Sequence, residues 1–292
     1  MTEKKNAVNY EKLRRRTAAR QTAGKTVTYV LLSVWAVIVL FPFYWMLLTS
    51  VKSYGQYNSE YIPQFFTLHP TFQNYADAFA AVPLGRYLLN TLIFTTITTA
   101  LMMIVILLAA YAFARLRFKG RDAAFALLLS LMMIPFEMLI ITNYTTVVNL
   151  KVYDTLYALI LPFTSSIFYT YILKNFFDSV SDSLYWSARI DGSSNWRFLW
   201  KVMVPMARPS LMTIILLNGL ASWNSFMWPM YVIVSKENRT LPWGLQVFTT
   251  EAGSYPELLM AASTVVVFPV VILFLFARKY IVRGVARGGL KG

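Results

Sequence analysis

Residues 87–114 read YLLNTLIFTTITTALMMIVILLAAYAFA, 28 residues without a charge, closed by Arg86 on one side and Arg115 on the other. As a helix this run would extend about 42 Å, against a hydrocarbon core of about 30 Å. Only helices and closed barrels satisfy their backbone in lipid, and the run lacks the alternation of a barrel strand. It therefore predicts a spanning helix, and five more stretches follow the same rule. Residues 27–50 are uncharged, and 123–145 is interrupted only by Glu137. Residues 155–173 lie between Asp154 and Lys174, 209–235 between Arg208 and Lys236, and 258–277 between Glu257 and Arg278. The expected fold class is an all-α integral membrane protein with about six transmembrane helices. A basic N-terminal tail occupies 1–26, the transmembrane domain 27–277 and a C-terminal tail 278–292. The first apolar run starts too late, at Val27, and is too long for a cleavable signal core.

The chain has 292 residues, 57% of them hydrophobic and 14% charged, where a soluble domain carries about 25% charged residues. The charges cluster between the runs, and the basic ones concentrate on alternate sides of them. Of the 27 Lys and Arg residues, 22 fall in the N-terminal tail, the second-to-third connection, the fourth-to-fifth connection and the C-terminal tail. The other side keeps Lys52, Arg86, Lys151, Lys236 and Arg239. The positive-inside rule then places both termini in the cytoplasm. It also accounts for the net charge of +14 without a nucleic-acid partner. With no cysteine, thiol chemistry and Cys-based metal sites are excluded, and the single histidine, His69, lies in an outside loop. Neither a metal site nor a catalytic residue is expected. Ala19 to Thr26 matches a loose P-loop pattern, but a basic tail precedes it and a span follows, where a P-loop needs a strand before and a helix after.

The connections differ in weight. The first outside loop, 51–86, is long enough for a short interfacial helix. The second, near Asn149 to Asp154, is a turn. The third, 236–257, carries Pro242, Gly244, Gly253 and Pro256 and should bend back on itself. The cytoplasmic segment 174–208, between spans four and five, is too polar for lipid and too long for a simple link. Ser183 to Ile190 predicts a short helix with Asp182 as its N-cap. Asp191-Gly192 ends it, because glycine readily supplies a left-handed cap. Asn195 to Val204 predicts a second helix that Pro205 ends. A helix, a glycine turn and a helix make a compact knob, though Trp196 and Trp200 would also suit an amphipathic hairpin lying in the membrane surface.

The knob resembles the EAA loop of ABC importer permeases, whose pattern is Glu-Ala-Ala, three residues, Gly, nine residues and Ile-x-Leu-Pro. Here Trp186, Ser187 and Ala188 open it, Asp191 precedes Gly192, and Val202, Met203, Val204 and Pro205 close it. Trp186 stands where the family has Glu. Phe41-Pro42, Asn74-Tyr75, Asn90-Thr91, Tyr111 to Arg115, Met133-Ile134-Pro135, Trp223 to Phe226 and Tyr280 to Gly284 with the terminal Gly289 to Gly292 are similar, in order, to the second permease subunit of maltose-type and multiple-sugar-type importers. The resemblance implies a multi-pass permease of a bacterial-type cytoplasmic (inner) membrane. It implies a second, different permease subunit, two ATPase subunits that bind ATP-Mg, and an extracytoplasmic solute-binding protein. No cofactor belongs to this chain. Trp186, Ser187, Ala188, Asp191, Gly192 and Pro205 would couple to the ATPase.

Polar groups inside spans are functional candidates by default. Glu137 is the one acid within a run, two residues past Pro135, which frees a backbone carbonyl and kinks the helix. It reads as a path-lining carboxylate, or as an acceptor at the kink or near the outer interface. On the fifth run Asn218, Trp223, Asn224 and Trp228 offer amides and stacking faces suited to a sugar. Helix packing is their competing role. The expected function is the permease subunit of an ATP-driven sugar or oligosaccharide importer. An ABC importer for another solute and a membrane-embedded enzyme are the alternatives, and the second lacks a convergent set of catalytic groups.

Overall fold

The computed structural model describes residues 2–250 and 255–288. Gly253 and the terminal 289–292 lie outside the described residues. All regular structure within them is helical. α1 (Thr2–Ser50) runs from the basic tail through the first apolar run, across Pro42. The stretch from Ala19 to Thr26 is therefore helical, which removes the loose P-loop match. Two short helices, α2 (Tyr54–Ser59) and α3 (Gln73–Ala81), follow in the first loop. Then come α4 (Leu84–Arg115), α5 (Arg121–Leu131), a 3-10 turn Phe136–Leu139 continuing into α6 (Ile140–Asn149), and α7 (Leu156–Ile160) with a 3-10 turn Leu161–Phe163. α8 (Ile167–Asp178) leads to the hairpin of α9 (Asp182–Ile190) and α10 (Asn195–Phe198). α10 passes through a π turn, Leu199–Met203, into α11 (Val204–Met206). The chain ends with α12 (Arg208–Trp223), α13 (Met227–Val232), α14 (Leu241–Leu245), α15 (Val247–Thr250) and α16 (Pro256–Gly288).

Three helices are long and apolar enough to cross a membrane, at Gly24–Ser50, Leu84–Arg115 and Pro256–Leu275. Three more candidates are bent pairs, so the described residues hold up to six spans. Arg121–Leu131 meets Phe136–Asn149 at 90°, Leu156–Phe163 meets Ile167–Asp178 at 43°, and Asn195–Met206 meets Arg208–Trp223 at 78°. The runs 123–145 and 155–173, continuous in sequence, are thus each interrupted, whereas the third pair bends at Ala207, before the run 209–235 begins. At the first break Pro135 takes an extended conformation and cannot donate to the preceding turn. At the second, Ser166 begins a new helix by accepting from the Tyr169 amide. The run 209–235 is interrupted separately, where α12 stops at Asn224 and the chain restarts as α13.

α4 is the central post. Met102, Ile106 and Ala110 on it pack with Leu173 and Phe177 of α8 and with Leu211 and Ile214 of α12. Phe198, Leu199 and Met203 join the same cluster. The loops at the far end of α4 are pinned to one another by polar contacts. Asp154, at φ +58, accepts from the amides of Val234 and Ser235 and from the Ser235 hydroxyl, at 2.9, 3.0 and 3.0 Å. The Asn90 amide donates to the Glu237 and Arg239 carbonyls at 2.7 and 3.0 Å. The Leu241 amide donates to the Thr91 hydroxyl at 2.8 Å, so this loop folds back onto α4 as its prolines and glycines predict. In the first loop the Lys52 ammonium, 1% exposed, bonds Glu60 at 2.6 Å and the Gln64 carbonyl at 2.8 Å.

Candidate functional site

The hairpin α9–α11 stands at the basic end of the bundle. Its first helix is capped by Ser181, whose hydroxyl accepts from the Ser183 amide. Asp182, expected as the cap, sits one residue inside the helix because its carboxylate is engaged elsewhere. It accepts from Arg115 Nη1 at 2.5 Å. Nη2 of Arg115 donates to the Phe177 carbonyl at 2.6 Å and also to the Val180 carbonyl. One guanidinium at the end of α4 thus holds the end of α8, the link and the start of α9. The Arg115 side chain is 5% exposed and Asp182 is 82% exposed, so the carbonyl bonds carry more of the energy than the ion pair.

The tip of the hairpin is a complete glycine cap. Gly192 has φ +74. The Ser193 amide donates to the Ala188 carbonyl at 2.9 Å and the Gly192 amide to the Arg189 carbonyl at 3.1 Å, the two bonds of a Schellman motif. Inside the hairpin, Asn195 Oδ1 accepts from the Tyr185 hydroxyl at 3.0 Å and the Tyr111 hydroxyl at 3.3 Å. The rings of Tyr185 and Phe198 meet edge to face with centroids 5.2 Å apart. The second helix is longer than the sequence predicts and is not ended by Pro205. Pro205 has no N–H for the Lys201 carbonyl, and the chain accommodates this by widening to a π turn before it and running on to Met206.

Among its exposed polar residues the hairpin holds out several large apolar side chains. Ile190 is 87% exposed, Trp196 62% and Trp186 52%. Trp196 and Trp200 stack edge to face at 5.6 Å. Phe198, Leu199 and Met203 turn inward instead. Ser187 and Asp191 are exposed, while Ala188 and Pro205 are half-buried. A groove of about 560 Å³ separates α9 from the α4–α5 link, lined by Arg117, Phe118, Arg121, Tyr185 and Trp186 among others. The sequence places Arg115 at the end of a span and Ile190 in the motif beside Asp191-Gly192, but the contacts Arg115 makes and the exposure of Ile190 depend on the tertiary arrangement.

The polar residues of the spans divide into two sets. Asn218 is buried and donates to the Thr99 hydroxyl at 2.9 Å, tying α12 to α4. Trp223 is buried among α4, α14 and α16 residues. Trp228 is buried, with Nε1 donating to the Ala158 carbonyl at 3.0 Å. Glu137 and Asn224 are exposed, the first beside the Pro135 break and the second at the end of α12. Among the described residues no group of His, Cys, Asp and Glu could hold a metal ion.

A family model described as binding-protein-dependent transport system inner membrane component matches residues 86–287. The arabinooligosaccharides transport system permease protein AraQ of Bacillus subtilis (strain 168) is 31% identical over 91% of this chain and 95% of its own length. The sulfoquinovosyl glycerol transport system permease protein SmoH of Agrobacterium fabrum is 33% identical over 92% of this chain and 95% of its own length. A crystal structure of a bacterial ABC transporter involved in the import of the acidic polysaccharide alginate contains a chain of the same fold. The two superpose with a TM-score of 0.77 at 24% identity, over 87% of this chain and 95% of that one.

Proposed function

The chain belongs to the family of binding-protein-dependent transport system inner membrane components, and on that premise we propose that it is one permease subunit of an ATP-driven importer for a sugar or oligosaccharide. It forms half of the path, beside a second and different permease subunit. Two ATPase subunits bind ATP-Mg below it, and a solute-binding protein delivers the cargo from outside. Both termini and the α9–α11 hairpin face the cytoplasm, in keeping with the distribution of Lys and Arg. The names of the relatives favour a saccharide cargo.

The observation that carries this reading is the exposed ridge of Ile190, Trp186 and Trp196 on a hairpin whose own core is closed. Large apolar side chains held out from a rigid knob belong to a partner surface. We assign them to a cleft of the ATPase, with Ser187, Ala188, Asp191 and Gly192 shaping the tip and Pro205 its base. Because Trp186 stands where the family has Glu, docking here relies on apolar burial and should resist salt better than an ion pair would. Glu137 and Asn224 line the path, with Asn218, Trp223 and Trp228 packed behind them. The test is a pair of variants, Trp186→Ala and Ile190→Ala, in the co-expressed assembly. Both side chains are exposed, so insertion and melting should stay near wild type, within about 0.5 kcal/mol. Hydrolysis stimulated by the loaded binding protein should fall together with uptake. Wild-type coupling in both variants would return the hairpin to the membrane surface.

A further inference from the structure

Three apolar runs are interrupted where their aromatic residues meet. Phe136 follows the break at 132–135, Phe163 precedes that at 164–166, and Trp228 follows that at 224–226. The Phe136 ring lies 5.0 Å from Phe163 and 5.8 Å from Trp228, centroid to centroid. Counted from the basic end, the breaks come after 11 residues of α5, 12 of α8 and 16 of α12. At 1.5 Å per residue that is roughly 16 to 24 Å of helix, well inside a core of about 30 Å. Non-helical backbone at such depth is tolerated only where protein buries it or water lines it.

At or beside each break is a polar side chain that the chain leaves exposed: Glu137, just past the first, Ser165 and Asn224. Among the described residues the Glu137 carboxylate has no hydrogen-bond or ion-pair partner. A carboxylate at this depth faces a water-filled cavity or a cation, not lipid. Half-buried Phe136 and Phe163, backed by the closed ring of Trp228, give the apolar face that a sugar ring needs, and the polar side chains give its hydroxyls partners. We propose that the three breaks form one solute-facing site in the path, and that Glu137 sets its charge preference. Neutral or amino-bearing polyhydroxyl solutes are accepted there, and anionic ones are disfavoured. This rests on reading the chain as half of an importer. A like charge within about 6–10 Å in a medium of effective dielectric constant near 20 disfavours an anion by roughly tenfold to a hundredfold.

The chain has no cysteine, so Asn224→Cys and Ser165→Cys each place a single thiol of this subunit at the site. The assembled transporter, with its partner permease, ATPase and binding protein, is treated with a cationic and an anionic methanethiosulfonate of similar size. Labelling of this subunit is followed with and without ATP and vanadate, and rates are normalised to a free thiol. Both thiols should react, the cationic reagent faster, and adding Glu137→Gln should lower the cation-to-anion ratio about tenfold or more. Two unreactive thiols in every state, or a ratio that Glu137→Gln leaves unchanged, would overturn the site. ATPase copurification and stimulated hydrolysis are measured on the same preparations. If those are intact while the labelling fails, the site falls and the importer reading stands. If the unaltered chain recruits no ATPase, both fall.

Discussion

Gly192→Val tests the hairpin tip where the structure allows the cost to be worked out in advance. A side chain at 192 would meet nothing within 4 Å, so no clash contributes. The penalty is conformational: φ is +74 there, and a left-handed L-residue costs about 1–2 kcal/mol, more when β-branched. The chain can carry that strain, or relieve it by giving up the Ser193-to-Ala188 and Gly192-to-Arg189 bonds. Those bonds are at a solvated tip, where each is worth about 1 kcal/mol net, so relief and strain are nearly matched. Opening of the tip should therefore become about 5- to 30-fold more frequent, the factor that 1–2 kcal/mol represents. Asn should cost least, Ala more and Val most, because Asn tolerates the left-handed region. Hydrogen exchange of amides 188–193 reads the opening, and ATPase stimulation by the loaded binding protein reads its consequence. Insertion should be unchanged, since no span depends on the tip. Equal protection in Val and wild type would refute the left-handed cap as the tip's constraint. Faster exchange with full coupling would show that tip geometry is not what the ATPase reads.

Other perturbations address the opposite end. Gly244→Ala would set a Cβ 2.2 and 2.3 Å from Cδ2 and Cε2 of the buried Tyr87 ring, and the overpacking should cost about 1–3 kcal/mol, read as a lower thermal midpoint. Glu60→Gln leaves the buried Lys52 ammonium without its countercharge, and loss of one partner of such a pair costs about 3–5 kcal/mol; limited proteolysis should then cut the 51–82 loop faster. The Glu60 carboxyl is held below its usual value of 4.5, chiefly by the hydrogen bond from Lys52. A depressed folded value means the pair's stabilisation is complete above pH 4.5 and is lost as pH falls through the lowered value. Cleavage of the loop should accelerate on acidification below about pH 4.5 in the wild type, and Glu60→Gln should lack that transition.

How much of this could be read beforehand depended on whether the cause was local. Apolar run lengths report directly on helices long enough for a bilayer, and Asp191-Gly192 reports on a turn that only a left-handed residue completes. The Pro135 break was legible for the same reason, since a missing N–H acts within one turn. The breaks at 164–166 and 224–226 were not. No proline occupies either one, and each exists because the chain beyond it is held elsewhere: α13 by the Trp228 bond to Ala158, and the α7 segment by Asp154 and its hold on residues 234 and 235. Asn218 shows the limit for site residues. An amide on a span suits a solute and a neighbouring helix equally well, and only the position of Thr99, 119 residues away in sequence, decides that it is bonded within the chain.

Glu137 and Asn218, both polar groups on apolar runs, make different demands on their surroundings. Burying an unpaired carboxylate in lipid is far costlier than burying an amide, because the amide can find a partner in almost any helix interface. Thr99 satisfies Asn218, so nothing further is required of the surroundings. The described residues supply no partner to the Glu137 carboxylate, so water or a partner subunit must. A cation from the second permease subunit opposite Glu137 would satisfy it without a path. That arrangement predicts that Glu137→Gln weakens association of the two permeases and leaves the labelling ratio at Asn224→Cys alone. A water-filled path predicts the reverse, with assembly intact and the ratio changed. Measuring subunit association and thiol labelling on one set of preparations therefore distinguishes the two environments, through the one carboxylate that interrupts the third apolar run.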